Sequence, residues 1–214
     1  SPVLLYLATA GVGRITVADH DAVDLTNLQR QIAHDMARIG TPKAHSAALR
    51  IAGINPEVQV QACVERVDAA RLDALVREAD VVLDCSDNFG TRQAVNLACV
   101  AHRRPLVAGA AIRFDGQISV YDVRDAQAPC YACLFPPDTA VEEVRCATMG
   151  VFAPLVGIVG SMQAAEALKL LTGVGPTLAG RLQMLDGRAM EWTEIRIARR
   201  ADCPVCGPHR AAAG

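Results

Sequence analysis

Cys130-Tyr131-Ala132-Cys133 and Cys203-Pro204-Val205-Cys206 form two CxxC pairs. Two thiolates at this spacing sit on one knuckle, and two knuckles can complete a tetrahedral zinc site. Residues 134–202 lie between the pairs, so a shared ion would clip two distant loops together and not nucleate a compact finger. Four sulfur ligands leave no open coordination position, which makes the expected role structural. A redox CxxC and a pair of disulfides are the competing readings. A redox pair normally opens a helix, and neither pair is expected to do so.

A second set of residues could bind a nucleotide. Thr26-Asn27-Leu28-Gln29-Arg30-Gln31 follows a strand ending in Asp19, and Lys43 comes one segment later. Arg30 offers a planar fork for phosphate oxygens and Lys43 a point charge. With Asp19 placed for a ribose hydroxyl, the set suits a nucleoside triphosphate. Asp87, followed by Asn88, suits Mg²⁺, which binds through one or two carboxylates together with phosphates. No GxGxxG phosphate loop occurs. Among the other cysteines, Cys63, Cys85 and Cys99 fall in apolar patterns and read as inert core residues. Cys146 follows Arg145 just before a long apolar helix, where a thiolate is stabilised; a buried thiol is the equal alternative.

These residues need a scaffold, and the pattern supplies one. Residues 2–10 read as a short apolar helix stopped by Gly11 and Gly13. From residue 14 to 112 strand and helix signals alternate. RITVADHD, VQVQACVERV, VVLDCSDN and PLVAGAAI read as strands. Residues 27–53 read as helical, with a start at Thr41-Pro42-Lys43. DAARLDALVREA reads as a helix capped by Asp68, and TRQAVNLACVAHRR as another. Such alternation predicts parallel βαβ units and an α/β, Rossmann-like, mostly parallel sheet. GQISVYDV, RLQMLDG and MEWTEIRIA then read as an antiparallel C-terminal part. Ligands of such sheets bind beyond the carboxyl ends of the strands, where Asp19, Asp21, Asp84 and Asp87 fall.

Composition sets the limits. The 214 residues are 51% hydrophobic, 21% charged and 4% aromatic, enough for one well-buried domain with an aliphatic core. Lys+Arg 21 against Asp+Glu 23 leaves a net charge of -2, with no global attraction to nucleic acid or an anionic membrane. Residues 146–165 lack charge over a membrane-spanning length, but their glycines, Pro154 and Gln163 and the amphipathic continuation AAEALKLL favour a buried core helix. No secretory leader heads the sequence, and the expected compartment is the cytoplasm. A single domain over 1–210 with a short tail at 211–214 is expected.

Taken together, the chain resembles the sulfur-carrier adenylyltransferase family of the ThiF/MoeB type, bacterial relatives of ubiquitin-activating enzymes. The matching segments run in family order from about residue 10 to 207: AGVGRITVADHDAVDLTNLQRQ, IGTPKA, INPEV, VLDCSDN, PLVAGAAIRFDGQISVY, PCYACLFP, the Cys146 segment, APLVGIVGSMQAAEALKLLTG and CPVCG. The resemblance implies ATP-dependent adenylylation of the C-terminal Gly-Gly carboxylate of a small ubiquitin-like sulfur-carrier protein. Asp19 would hold the ribose. Thr26, Asn27, Gln29, Arg30 and Lys43 would surround the triphosphate, and Asp87, beside Asn88, would hold Mg²⁺. Cys130, Cys133, Cys203 and Cys206 would bind structural zinc. Cys146 matches the cysteine of the family's crossover loop, which takes part in sulfur or acyl transfer in some members and is dispensable for adenylylation in others. A homodimer and a separate sulfur donor are implied partners, with the helix over 151–172 central and near the dimer interface.

Two family features are not in these 214 residues: the glycine-rich loop with the strand before it, and an N-terminal arginine given across the dimer. The family strand lies inside the sheet, so the expectation is a piece of a longer protein with its downstream site intact. A carrier-binding scaffold without catalysis is the alternative. An NAD(P)-dependent oxidoreductase is a weaker one, disfavoured by Arg30, Lys43 and the knuckles. Fold alone does not decide among them.

Overall fold

The computed structural model describes residues 1–139 and 150–207. Helix α1 (Pro2–Thr9) leads into β1 (Arg14–Ala18). Helix α2 (Lys43–Ala52), β2 (Gln59–Cys63), α3 (Ala69–Glu78), β3 (Val82–Asp84), α4 (Phe89–Ala101) and β4 (Leu106–Ile112) continue the alternation. There follow β5 (Asp115–Tyr121), the single turn α5 (Tyr131–Leu134), α6 (Ala153–Thr172), β6 (Arg181–Asp186) and β7 (Glu191–Arg196). Asp68 caps α3 by accepting from Arg71 N at 2.8 Å, as its position predicts.

The sheet departs from the expected mostly parallel one. It is mixed and in two pieces: β1 pairs with β2 alone, and β3-β4-β5-β6-β7 form the other. Only β1–β2 and β3–β4 are parallel; β4–β5, β5–β6 and β6–β7 are antiparallel. Among the described residues, the second edge of β1 and the second edge of β3 have no strand partner. Side chains bridge the pieces instead. Val3 and Leu7 of α1, Ile15 of β1, Val107 of β4, Ile118 of β5 and Ala164 of α6 share one buried cluster.

Residues 27–53 are not one helix. Only Lys43–Ala52 is α-helical, and 25–27 and 36–38 are single 3₁₀ turns. The reason is local hydrogen bonding. Asp24 accepts from both Thr26 N (2.8 Å) and Thr26 Oγ1 (2.5 Å), a capping geometry that competes with helix propagation.

Helix α6 is long and apolar enough to cross a membrane by length and composition. One face, however, is buried against α1, β4 and β5 and carries polar groups with partners. Gln163 Nε2 donates to Asp84 O (2.9 Å) and Val107 O (3.3 Å), and Glu166 accepts from Leu178 N at 2.7 Å. Gly109 makes the first contact possible, because a Cβ there would lie 2.4 Å from the Gln163 amide carbon. Gly160 likewise lets α1 approach, with a Cβ there only 3.0 Å from Pro2.

Candidate functional site

Asp19 lies immediately after β1 and is half-buried; its Oδ1 accepts from Asp21 N at 2.9 Å. Lys43 opens α2 and is 8% exposed. Its backbone N donates to Asp21 O and its Nζ to Asp21 Oδ2, both at 2.8 Å. That hydrogen bond holds the Asp21 carboxyl below the usual carboxylate range. Asp21 therefore fixes the ammonium expected to meet phosphate, a partner the spacing of 22 residues hides from sequence reading. In the turn segment, Arg30 is half-buried and Nη1 reaches Thr26 O at 3.4 Å. Thr26 and Gln29 are exposed and Asn27 half-buried. Gln31 carries a buried Oε1 without a partner.

The second strand end is built differently. Asp87 is exposed just past β3. Its loop is fixed on both sides: Ser86 N donates to Asp84 Oδ1 (2.8 Å), and Arg92 Nη2 donates to Ser86 O (2.6 Å). Asn88 Oδ1 caps α4 by accepting from Thr91 N at 2.8 Å, so this oxygen is occupied by structure. Asp84 is 4% exposed, yet its Oδ2 and the neighbouring Ser86 Oγ lack partners. A buried carboxylate oxygen without a donor is costly. Oxygen donors around Asp87 fit a hard divalent cation such as Mg²⁺.

Packing brings the two ends together. Val17 of β1 and Leu83 of β3 pack against the buried cluster that holds Val3 and Leu7 of α1. Lys43, Asp19 and Arg38 all act on His34. The carboxyl ends of β1 and β3 thus lie near one another beside α1, where sheets of this kind hold their ligands. The missed members are His34 and Arg38, whose Nη1 donates to Ser46 O at 3.0 Å. Their positions in a turn segment gave no periodic signal.

His34 Nδ1 shares a 2.8 Å hydrogen bond with Ser46 Oγ. Burial keeps its imidazole below the ordinary range; Lys43 pushes the same way and Asp19 opposes it. The folded chain then binds fewer protons than the unfolded chain between the folded value and about 6.5. Stability is therefore expected to rise with pH through that window and to fall on acidification from pH 7 toward 5.5. Thermal melts should show a smaller loss in His34→Gln over this range than in the wild type. Equal losses would remove His34 as the source.

Cys85 is a correction. It does not belong to the core but is exposed, with Sγ 3.6 Å from Gln163 Oε1. It follows β3, whose second edge has no strand partner among the described residues. Cys63 and Cys99 are buried as expected, and burial pushes the Cys99 thiol up to about 12. Cys146 lies outside the described residues.

The four knuckle cysteines converge although 69 residues (134–202) separate the pairs. Sγ–Sγ distances are 4.0 Å for Cys130–Cys133, 3.7 Å for Cys130–Cys203 and 3.5 Å for Cys133–Cys206. Thiolates about 2.3 Å from a central tetrahedral zinc stand about 3.8 Å apart, so the spacing fits. It is far too long for disulfides. Against expectation, Cys130 does open a helical turn, as the N-cap of α5. The convergence of four sulfurs, and not helix context, is what separates this cluster from a redox pair.

The sequence model of the ThiF family matches residues 1–205. The sulfur carrier protein ThiS adenylyltransferase of Escherichia coli K12 is 44% identical over 211 residues, covering 99% of this chain and 83% of that protein. The molybdopterin-synthase adenylyltransferase of the same organism is 44% identical over 202 residues, covering 94% and 80%. A crystal structure of E. coli MccB with MccA-N7isoASN superposes with a TM-score of 0.83 at 22% identity, over 96% of this chain. This chain spans 63% of that one, and the likeness is one of fold.

Proposed function

Starting from a chain that belongs to the ThiF family, we propose that it adenylylates the C-terminal Gly-Gly carboxylate of a small ubiquitin-like sulfur-carrier protein. The observation that carries the reading is the nearly buried Lys43 held by Asp21, with Asp19 beside it at the end of β1. The Asp84–Asp87 loop follows β3, whose Leu83 packs on the same cluster as Val17 of β1. A carboxylate oxygen of the carrier attacks the α-phosphorus of ATP. The bond from that phosphorus to the bridging oxygen breaks, and the electron pair leaves with pyrophosphate. The carrier carboxylate is already ionised at neutral pH, so no general base is needed. The protein must place the reactants in line and offset the charge gathering on the phosphates.

In this reading Asp19 binds the ribose through the carboxylate oxygen not used by Asp21 N. Lys43 and Arg30 face the triphosphate, with Thr26, Asn27 and Gln29 lining the same segment. Asp87 holds Mg²⁺, with Asn88 positioning its loop as the cap of α4. Bound Mg²⁺ supplies charge neutralisation at the phosphate oxygens. The cysteine cluster holds zinc away from the chemistry, as a clip. ATP use puts the reaction in the cytoplasm. A homodimer is proposed, with Tyr6, Ile32, Met36, Ile39 and Leu49 as exposed apolar side chains available for contact.

ATP–pyrophosphate exchange with a Gly-Gly-ended carrier tests the proposal. Carrier-dependent exchange is expected, and Arg30→Ala should lower it by about 10²-fold or more, the usual effect of removing one charge-stabilising donor. A folded chain that binds carrier but neither binds ATP nor exchanges would instead favour the scaffold reading.

A further inference from the structure

The cysteine cluster is joined to α4 by one buried amide. Asn96 is fully buried. Its Oδ1 accepts from Tyr131 N at 2.9 Å, and its Nδ2 lies 3.7 Å from Cys130 Sγ. The backbone N–H of Tyr131 can only donate, so the amide oxygen must face it and the NH₂ must face the sulfur. A second amide on the same helix face, Gln93, donates Nε2 to Phe135 O at 2.6 Å but touches no sulfur. The knuckle of Cys130–Cys133 is therefore docked on α4 at two points, only one of which reaches a ligand atom.

We propose that Asn96 is a positioning residue of the four-cysteine metal site. Its side-chain N–H donates to Cys130 Sγ, stabilises the thiolate and aims it at the ion. This inference rests on the reading of Cys130, Cys133, Cys203 and Cys206 as a metal site. Groups that orient a ligand in this way contribute about 10–100-fold to metal affinity when removed. Helix α4 begins next to Asp87, so Asn96 also makes the clip and the Asp87 loop two stations on one rigid element.

The test uses zinc and cobalt(II) on the full chain, with chelator competition for affinity and the sulfur-to-cobalt charge-transfer band as a second readout. Asn96→Asp puts a carboxylate against a thiolate and should weaken binding about 10–100-fold while shifting the band. Gln93→Ala should change neither. In the wild-type chain loaded with NMR-active cadmium, a scalar coupling from cadmium to the Asn96 side-chain proton is expected through the N–H···S bond. That measurement needs no variant and so does not depend on Asn96→Asp folding. A wild-type chain that binds metal with no such coupling overturns this inference alone, as does Asn96→Asp with wild-type affinity and an unshifted band. A wild-type chain that takes up neither metal overturns the metal reading and this inference with it.

Discussion

Lys43→Ala should lower carrier-dependent pyrophosphate exchange by about 10²–10³-fold, the range seen when one preorganised charge is removed from a transition state. The expectation follows from where the ammonium is held. It is almost buried, its backbone and side chain are both tied to Asp21, and it stands at the end of β1 with His34 and Asp19. Desolvation makes such a charge worth more to a developing anion than an exposed lysine. The same geometry predicts a small structural effect. Asp21 is 55% exposed on its side chain and regains water when Lys43 is gone, so the ion pair itself contributes at most about 1 kcal/mol. Activity should thus collapse while the melting temperature moves little. Lys43→Arg should not restore exchange, because a buried slot shaped for an ammonium does not take a planar fork. Parallel losses of stability and activity would assign Lys43 to folding instead.

Stripping metal from the cysteine cluster should lower the melting temperature by about 7–20 °C, reversibly on return of zinc. Structural zinc contributes about 10–16 kcal/mol in isolated finger peptides. Here a separate aliphatic core carries most of the fold, so roughly a third of that is expected to be lost, and each kcal/mol is about 2–4 °C at this size. The cluster ties the segment after β5 to the segment after β7, and its own core holds only Val100, Val123, Ala132 and Val205 besides the four sulfurs. Without an ion, the two segments would keep only such packing, together with that of Tyr131 and Phe135 in the cluster that holds Ile197. Calorimetry with and without chelator measures the difference; an unchanged melt would mean the cluster closes without metal.

Most of the scaffold could be read from sequence because its signals are local. The alternation from residue 14 to 112 gave β1 to β4 and the helices α3 and α4 in order, and Asp68 and the Pro42–Lys43 step marked real helix starts. The CxxC pairs were legible for the same reason: two ligands three residues apart are a local pattern, and the doubled pattern predicted the convergence. What escaped depends on non-local contacts. The antiparallel part over β5 to β7 was legible, as found; what periodicity overestimated is the share of parallel pairing before it, which is two ladders. Cys85 looked like core because its strand is apolar, yet its exposure is decided by what stands beside β3. The turns over 25–38 looked helical because composition does not register that Asp24 binds Thr26. Asn96 and Asp21 were invisible as partners, since each acts on a residue far away in the chain.

The central ladder has a consequence for how the molecule breathes. Among the described residues β4 and β5 are each laddered on both sides, while β7 is paired on one side and exposed along its length. Strands so placed open at different free energies. Amides of β4 and β5 should therefore exchange more slowly than those of β7. A nucleotide that engages Asp19 and Lys43 at the end of β1 and Asp87 at the end of β3 would oppose the opening of both ends at once. Its binding free energy would then appear as added protection in β1 and β3, with β7 as the unchanged reference.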